Sequence, residues 1–111
     1  MNSNILQMAG ELKALCIHND TSSCIIENGV LPDGWFQKFC SLNNKIIQAT
    51  EDCDSYPKAY VSAMQYCAWY LPLRYELWKR NHNNVISPDD KVFKDIALLA
   101  KGILHGNYDV A

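Results

Sequence analysis

The sequence predicts an all-α protein: a compact four-helix bundle with a long, proline-kinked central helix. Three observations carry that expectation. Apolar residues recur at steps of three and four in four separate stretches, which lines up one face of a helix in each. Strand-like alternation is nearly absent. Helix start and stop residues bracket the stretches, most clearly at Ser87-Pro88-Asp89-Asp90. Four one-sided stripes are buried together most simply in a bundle.

The central stretch is Ser55 to Arg80, which holds two of the three tryptophans and five of the six tyrosines. Ser55 is the expected N-cap, with Pro57 in the first turn, where a missing N–H costs nothing. Tyr60, Met64, Cys67, Leu71, Tyr75 and Trp78 then share one face. Lys58, Ser62, Gln65, Glu76 and Lys79 fall opposite, on the expected solvent side. Glu76 and Arg80 stand four apart in the favourable order for a surface pair. Pro72 lacks the amide that would reach the Ala68 carbonyl, and its ring crowds that turn. The expectation is a kink there rather than two helices. Trp69 falls with the polar set. It either packs under the segment 17–32 or anchors a partner, as large aromatics commonly do.

In the first helix, capped by Asn4 or Ser3, Ile5, Met8, Ala9, Leu12, Leu15 and Cys16 keep one face. Gly10 marks either a weak point or a close helix approach. The segment 18–32 is expected as a single helical turn, capped by Ser22 and closed at Gly29. A hairpin at Asn28-Gly29 is disfavoured because Pro32 cuts its second run short. Asp33 is the expected cap of the next helix, with Trp35, Phe36, Phe39, Cys40, Ile46, Ile47 and Ala49 on its apolar face. Asn43 lies near that face and needs a hydrogen-bond partner if buried. The helix should end near Thr50. In the last helix, Ser87 caps, Pro88 takes the first position, and the aspartates suit the positive end of the dipole. Val92, Phe93, Ile96, Ala97, Leu99, Ala100, Ile103 and Leu104 form its apolar face. Gly106 is the expected left-handed cap, with a frayed tail beyond it.

Size and composition bound the function. The chain has 111 residues, enough for one domain over 1–111 and too few for two. Its apolar fraction is 49% and its charged fraction 20%, both ordinary for a folded protein. The net charge is −2, unlike the basic footprint of a nucleic-acid binder. No run approaches the roughly 18 apolar residues of a membrane span. Met1 to Cys16 lacks the basic start of a signal peptide. Five cysteines, an odd number, suit reduced thiols in the cytoplasm. Cys16, Cys40 and Cys67 read as small core residues.

Candidate chemistry is sparse. Cys16, His18 and Cys24 are zinc-ligand types, but their spacing fits no common site and a fourth ligand is missing. A calcium loop counted from Asp52 would need glycine and glutamate where Pro57 and Ala63 stand. His18, His82 and His105 lie in turns or at helix ends, far in sequence from the cysteines, and no nucleophile motif or phosphate loop is present. No enzyme activity, metal or cofactor is therefore expected. A helix-turn-helix regulator is the alternative. It would rely on Lys91, Lys94 and Lys101, which alternate with Asp90 and Asp95 as on an ordinary solvated face.

The remaining expectation is binding to another protein, as an inhibitor, immunity-type factor or adaptor. Trp69 would anchor the contact, while Glu51, Asp52 and Asp54 would steer a partner with a basic surface. Homodimerisation through the aromatic helix is a further option.

Overall fold

The computed structural model describes residues 2–109, and no strand occurs among them. The chain forms α1 (Ser3–Ile17), α2 (Asn19–Asn28), α3 (Trp35–Ala49), α4 (Lys58–Gln65), a π-helical turn (Tyr66–Tyr70), α5 (Leu71–Asn81) and α6 (Asp90–Asp109). The unit α4–π–α5 is one continuous helical rod, because both junctions keep right-handed helical backbone angles. With α1, α3 and α6 it makes the four principal helical bodies, and α2 is a shorter fifth piece.

The rod is not a uniform α-helix. A π turn occupies the five residues before the Leu71-Pro72 pair, and the Leu71 N–H bonds back to the Tyr66 carbonyl. A normal turn would press the Pro72 ring against the Ala68 carbonyl. Widening the preceding turn by one residue relieves that crowding. All six residues expected on the inner face are buried: Tyr60, Met64, Cys67, Leu71, Tyr75 and Trp78.

Each other helix meets a particular residue of the rod. Tyr60 donates to Asn43 Oδ1 of α3 at 2.5 Å, deep in the core, which supplies the partner Asn43 requires. The same burial pushes the Tyr60 hydroxyl well above its ordinary pKa. The Cys67 sulfur lies 3.6 Å from that of Cys16 in α1. Trp78 packs on Gly29, the left-handed cap of α2. Tyr75 stacks on Phe93 of α6 at 4.5 Å. Its hydroxyl donates to Asp90 Oδ1 at 2.6 Å and accepts from the Ser87 N–H at 3.2 Å.

Several caps and contacts differ from expectation. Asn2, not Asn4 or Ser3, caps α1 by accepting from the Ile5 N–H. A side chain at Gly10 would meet nothing within 4 Å, so no helix approaches there. The segment after His18 is a ten-residue helix rather than one turn, capped by His18 instead of Ser22. Gly34 in a left-handed conformation precedes α3 where Asp33 was expected. Extended Pro57, rather than Ser55, precedes α4. Ile47, Ala49 and Leu99 are exposed. Glu76 pairs with Lys79, not with Arg80. Ser87 does fold back onto the Asp89 N–H at 3.0 Å, but α6 begins at Asp90, so Pro88 lies in the turn before it rather than at its first position; Asp89 accepts from the Leu31 N–H at 2.9 Å. Helix α6 continues through Gly106 to Asp109; the end of the expected tail, 110–111, lies outside the described residues.

Two predictions follow from these ties. Gly29 has φ +69°, and a Cβ there would fall 2.5 Å from the Trp78 ring. Gly29→Ala should therefore destabilise the fold by about 2–4 kcal/mol in denaturant unfolding, combining backbone strain with overpacking. The second concerns acid. The Tyr75 hydroxyl, then the Lys94 ammonium, hold the Asp90 carboxyl below its ordinary pKa of 3.8. A depressed folded-state pKa means stability that is complete above that ordinary value and is lost as pH falls below it. Asp90→Asn should lower the melting temperature at neutral pH, and the gap from the native protein should close below about pH 3.8.

Candidate functional site

Helix α3 ends where the Thr50 hydroxyl turns back to donate to the Ile46 carbonyl at 2.7 Å. The Cys53 N–H then bonds to the Thr50 carbonyl at 3.0 Å. These two bonds form a tight corner that sets Glu51, Asp52 and Asp54 on the surface, all three exposed. No cation stands within ion-pair distance of any of them among the described residues. The link re-enters the core at Pro57, and Tyr56 rests against Tyr60 with ring centroids 4.9 Å apart.

A groove of about 580 Å³ lies where this link meets α6. Ile47 of α3, Tyr56 of the link, and Leu98, Leu99 and Ile103 of α6 provide its apolar lining. Glu51, Asp54 and the exposed Cys53 also border it. Leu98 is 75% exposed, more than any other large apolar residue among the described residues. Periodicity alone hides this groove, because Leu98 stands off the helical stripe of α6 and Leu99 falls on it.

Trp69 lies elsewhere, on the π turn, and is 56% exposed. It does not pack under α2. That role falls to its neighbour Tyr70, whose hydroxyl accepts from the Arg74 guanidinium at 3.0 Å. Arg74 first and Ser22 of α2 second hold the Tyr70 hydroxyl below its ordinary pKa. Leu73 and Leu77 continue from Trp69 at steps of four and are also exposed, so α5 carries an apolar stripe on its outer side. The structure thus separates the expected anchor from the expected acidic residues: Trp69 is not among the residues lining the groove beside Glu51 and Asp54.

A second cleft of similar size, about 600 Å³, lies among α1, α2 and α3. Its polar groups already serve the fold. The Trp35 indole N–H and the Thr21 hydroxyl both donate to the Leu15 carbonyl, at 3.1 and 3.0 Å. His18 Nδ1 accepts from the Asp20 N–H at 3.1 Å. Its charged lining is Glu11, Asp20 and Asp33 with the single cation Lys38, so it too is net negative.

The cysteine and histidine candidates are not brought together. Cys16 faces Cys67, His18 caps α2, and the His82 Nδ1–H donates to the Trp78 carbonyl at 2.8 Å. Among the described residues no group of three or more His, Cys, Asp or Glu is placed to hold a metal ion. No helix among them is long and apolar enough to cross a membrane. No family model, curated protein or solved structure matches the chain.

Exposure of Trp69 yields a direct prediction. Trp69→Ala should leave the helical circular dichroism intact and shift stability by no more than about 0.5 kcal/mol in denaturant unfolding, as for other surface positions.

Proposed function

We propose that this chain is a small non-catalytic protein-binding protein, acting as an inhibitor, immunity-type factor or adaptor by covering a partner's surface. The carrying observation is the groove at the acidic link, where an apolar floor meets carboxylates that have no cationic partner among the described residues. Such a surface suits a basic, amphipathic segment of another protein: its apolar side chains enter over Leu98 and Leu99, and its lysines or arginines meet Glu51 and Asp54. Asp52 adds to the field that steers approach. Trp69, with Leu73 and Leu77, offers a second apolar contact for the same partner or for another copy of this chain. We also read the π turn and Pro72 as a bend that presents Trp69 outward, and the free thiols as suited to a reducing cytoplasm.

The nucleic-acid reading is weaker. Two of the lysines it needs already pair within α6, Lys91 with Asp95 at 2.9 Å and Lys94 with Asp90 at 3.1 Å. Carboxylates also lie among the phosphate-facing positions it would require.

The test is capture by the immobilised full chain from an extract of its own cells, at graded salt. A specific protein should be retained, eluting earlier as salt rises. The variants Leu98→Asp and Glu51→Lys/Asp54→Lys should each lose it while melting as the native chain does. Retention indifferent to both substitutions would refute the groove. Salt-sensitive binding of the native chain to heparin would favour the nucleic-acid reading.

A further inference from the structure

Two thiols outside the groove lining come close together in the core. Cys16 of α1 and Cys67 of the π turn are separated by 51 positions in sequence, yet their sulfurs stand 3.6 Å apart. Both are unlinked and almost wholly buried, with exposures of 1% and 0%. The pair joins the first helix of the chain to the irregular turn of the rod. A disulfide requires the sulfurs to close to about 2.05 Å, and a π turn is the part of the rod with the least regular hydrogen bonding.

We propose that Cys16 and Cys67 form a redox-closable staple between α1 and the π turn. The chemistry is thiol–disulfide exchange with a low-molecular-weight disulfide such as oxidised glutathione. One cysteine thiolate attacks a sulfur of that disulfide, forming a mixed disulfide and releasing one small thiolate, which takes up a proton. The thiolate of the second cysteine then attacks the protein sulfur of the mixed disulfide. The Cys16–Cys67 bond forms and a second small thiol leaves. The protein loses two protons and two electrons, and the oxidant is reduced to two thiols.

Access and ionisation make the closed fold slow to react. The Cys16 contact first, and burial second, raise the Cys67 thiol well above its ordinary pKa, so it stays neutral and weakly nucleophilic while packed. Exchange must therefore wait for α1 to part locally from the rod. Once made, the bond closes a loop of about fifty residues and holds α1 against the turn that carries Trp69. The unlinked state leaves that turn free to adjust, and the linked state fixes it.

The experiment uses the full chain with Cys24, Cys40 and Cys53 replaced by serine, so that only the pair remains. It is incubated with oxidised glutathione, without denaturant and at a mildly denaturing urea concentration, then probed by intact mass and thiol titration. The expected product is monomeric, lighter by two hydrogens, without free thiol and without bound glutathione. It should form faster in urea. It should melt roughly 10 °C or more above its reduced form, and a reductant should reverse the change. Stable glutathione adducts, disulfide-linked dimers or two persistent free thiols would overturn the proposal. So would a bond that lowers the melting temperature. Should the triple variant fold poorly, the native chain is oxidised instead and its disulfides are mapped by peptide mass. A Cys16–Cys67 peptide pair supports the staple, and any other dominant pairing refutes it.

Discussion

The fold depends on keeping one helical face in register across a proline. The inner side of the rod meets α3 near its start, α1 and α6 near its middle, and α2 near its end, through Tyr60, Cys67, Tyr75 and Trp78. A break at Pro72 would set the second half of that face in another direction and detach two of those contacts. The π turn resolves the conflict. It removes the steric demand of the ring on the preceding turn while letting Leu71, Tyr75 and Trp78 continue inward.

Burial of apolar surface supplies most of the stability, and the polar ties choose among arrangements. A stripe of leucines and phenylalanines packs in many ways at similar free energy. The Tyr60–Asn43 bond and the Tyr75–Asp90–Ser87 cluster do not, because each buried polar group left unpaired costs about 1–3 kcal/mol. Trp78 is an exception to that economy. Its Nε1 is buried and meets no acceptor among the described residues, while its ring lies between the Gly29 backbone and the stacked rings of Tyr75 and His82. Its position reflects shape rather than hydrogen bonding.

Much of this was legible in the sequence, for a definite reason. Helical periodicity reports which residues turn inward, and it found the inner face of the rod residue by residue and four of the six expected on α1, Met8 and Leu15 being only half-buried. It also flagged Asn43 as needing a partner and Gly29 as a helix end. Caps were less legible, because Asn2 and His18 each act through a local bond that competing neighbours offer equally well. The π turn was not legible: a single proline announces a disturbance without saying how the backbone absorbs it. Long-range pairings such as Leu31 with Asp89 were hidden too, since an aspartate beside a helix start already has a sufficient local explanation in the dipole. At the candidate site, the acidic residues were visible as a cluster. Their apolar neighbours were not, because Leu98 and Ile47 meet only after α3 and α6 are in place.

Exposed leucine alone says little, because more than half of an ordinary protein surface is apolar. Trp69, Leu73 and Leu77 therefore count for less than their size suggests. The groove differs in kind, since it unites two signals that fail separately. Among the described residues its carboxylates meet no cation although the chain carries ten basic residues, and three of the lysines lie on α6 itself. All three, Lys91, Lys94 and Lys101, are exposed. The first two engage aspartates near the start of that helix, while Glu51 and Asp54 border the groove itself. Charge of that kind accelerates encounter with a basic surface, and an apolar floor slows departure. A partner selected by both would be lost when either is removed, whereas a partner held by aromatic contact alone would not notice Glu51 or Asp54.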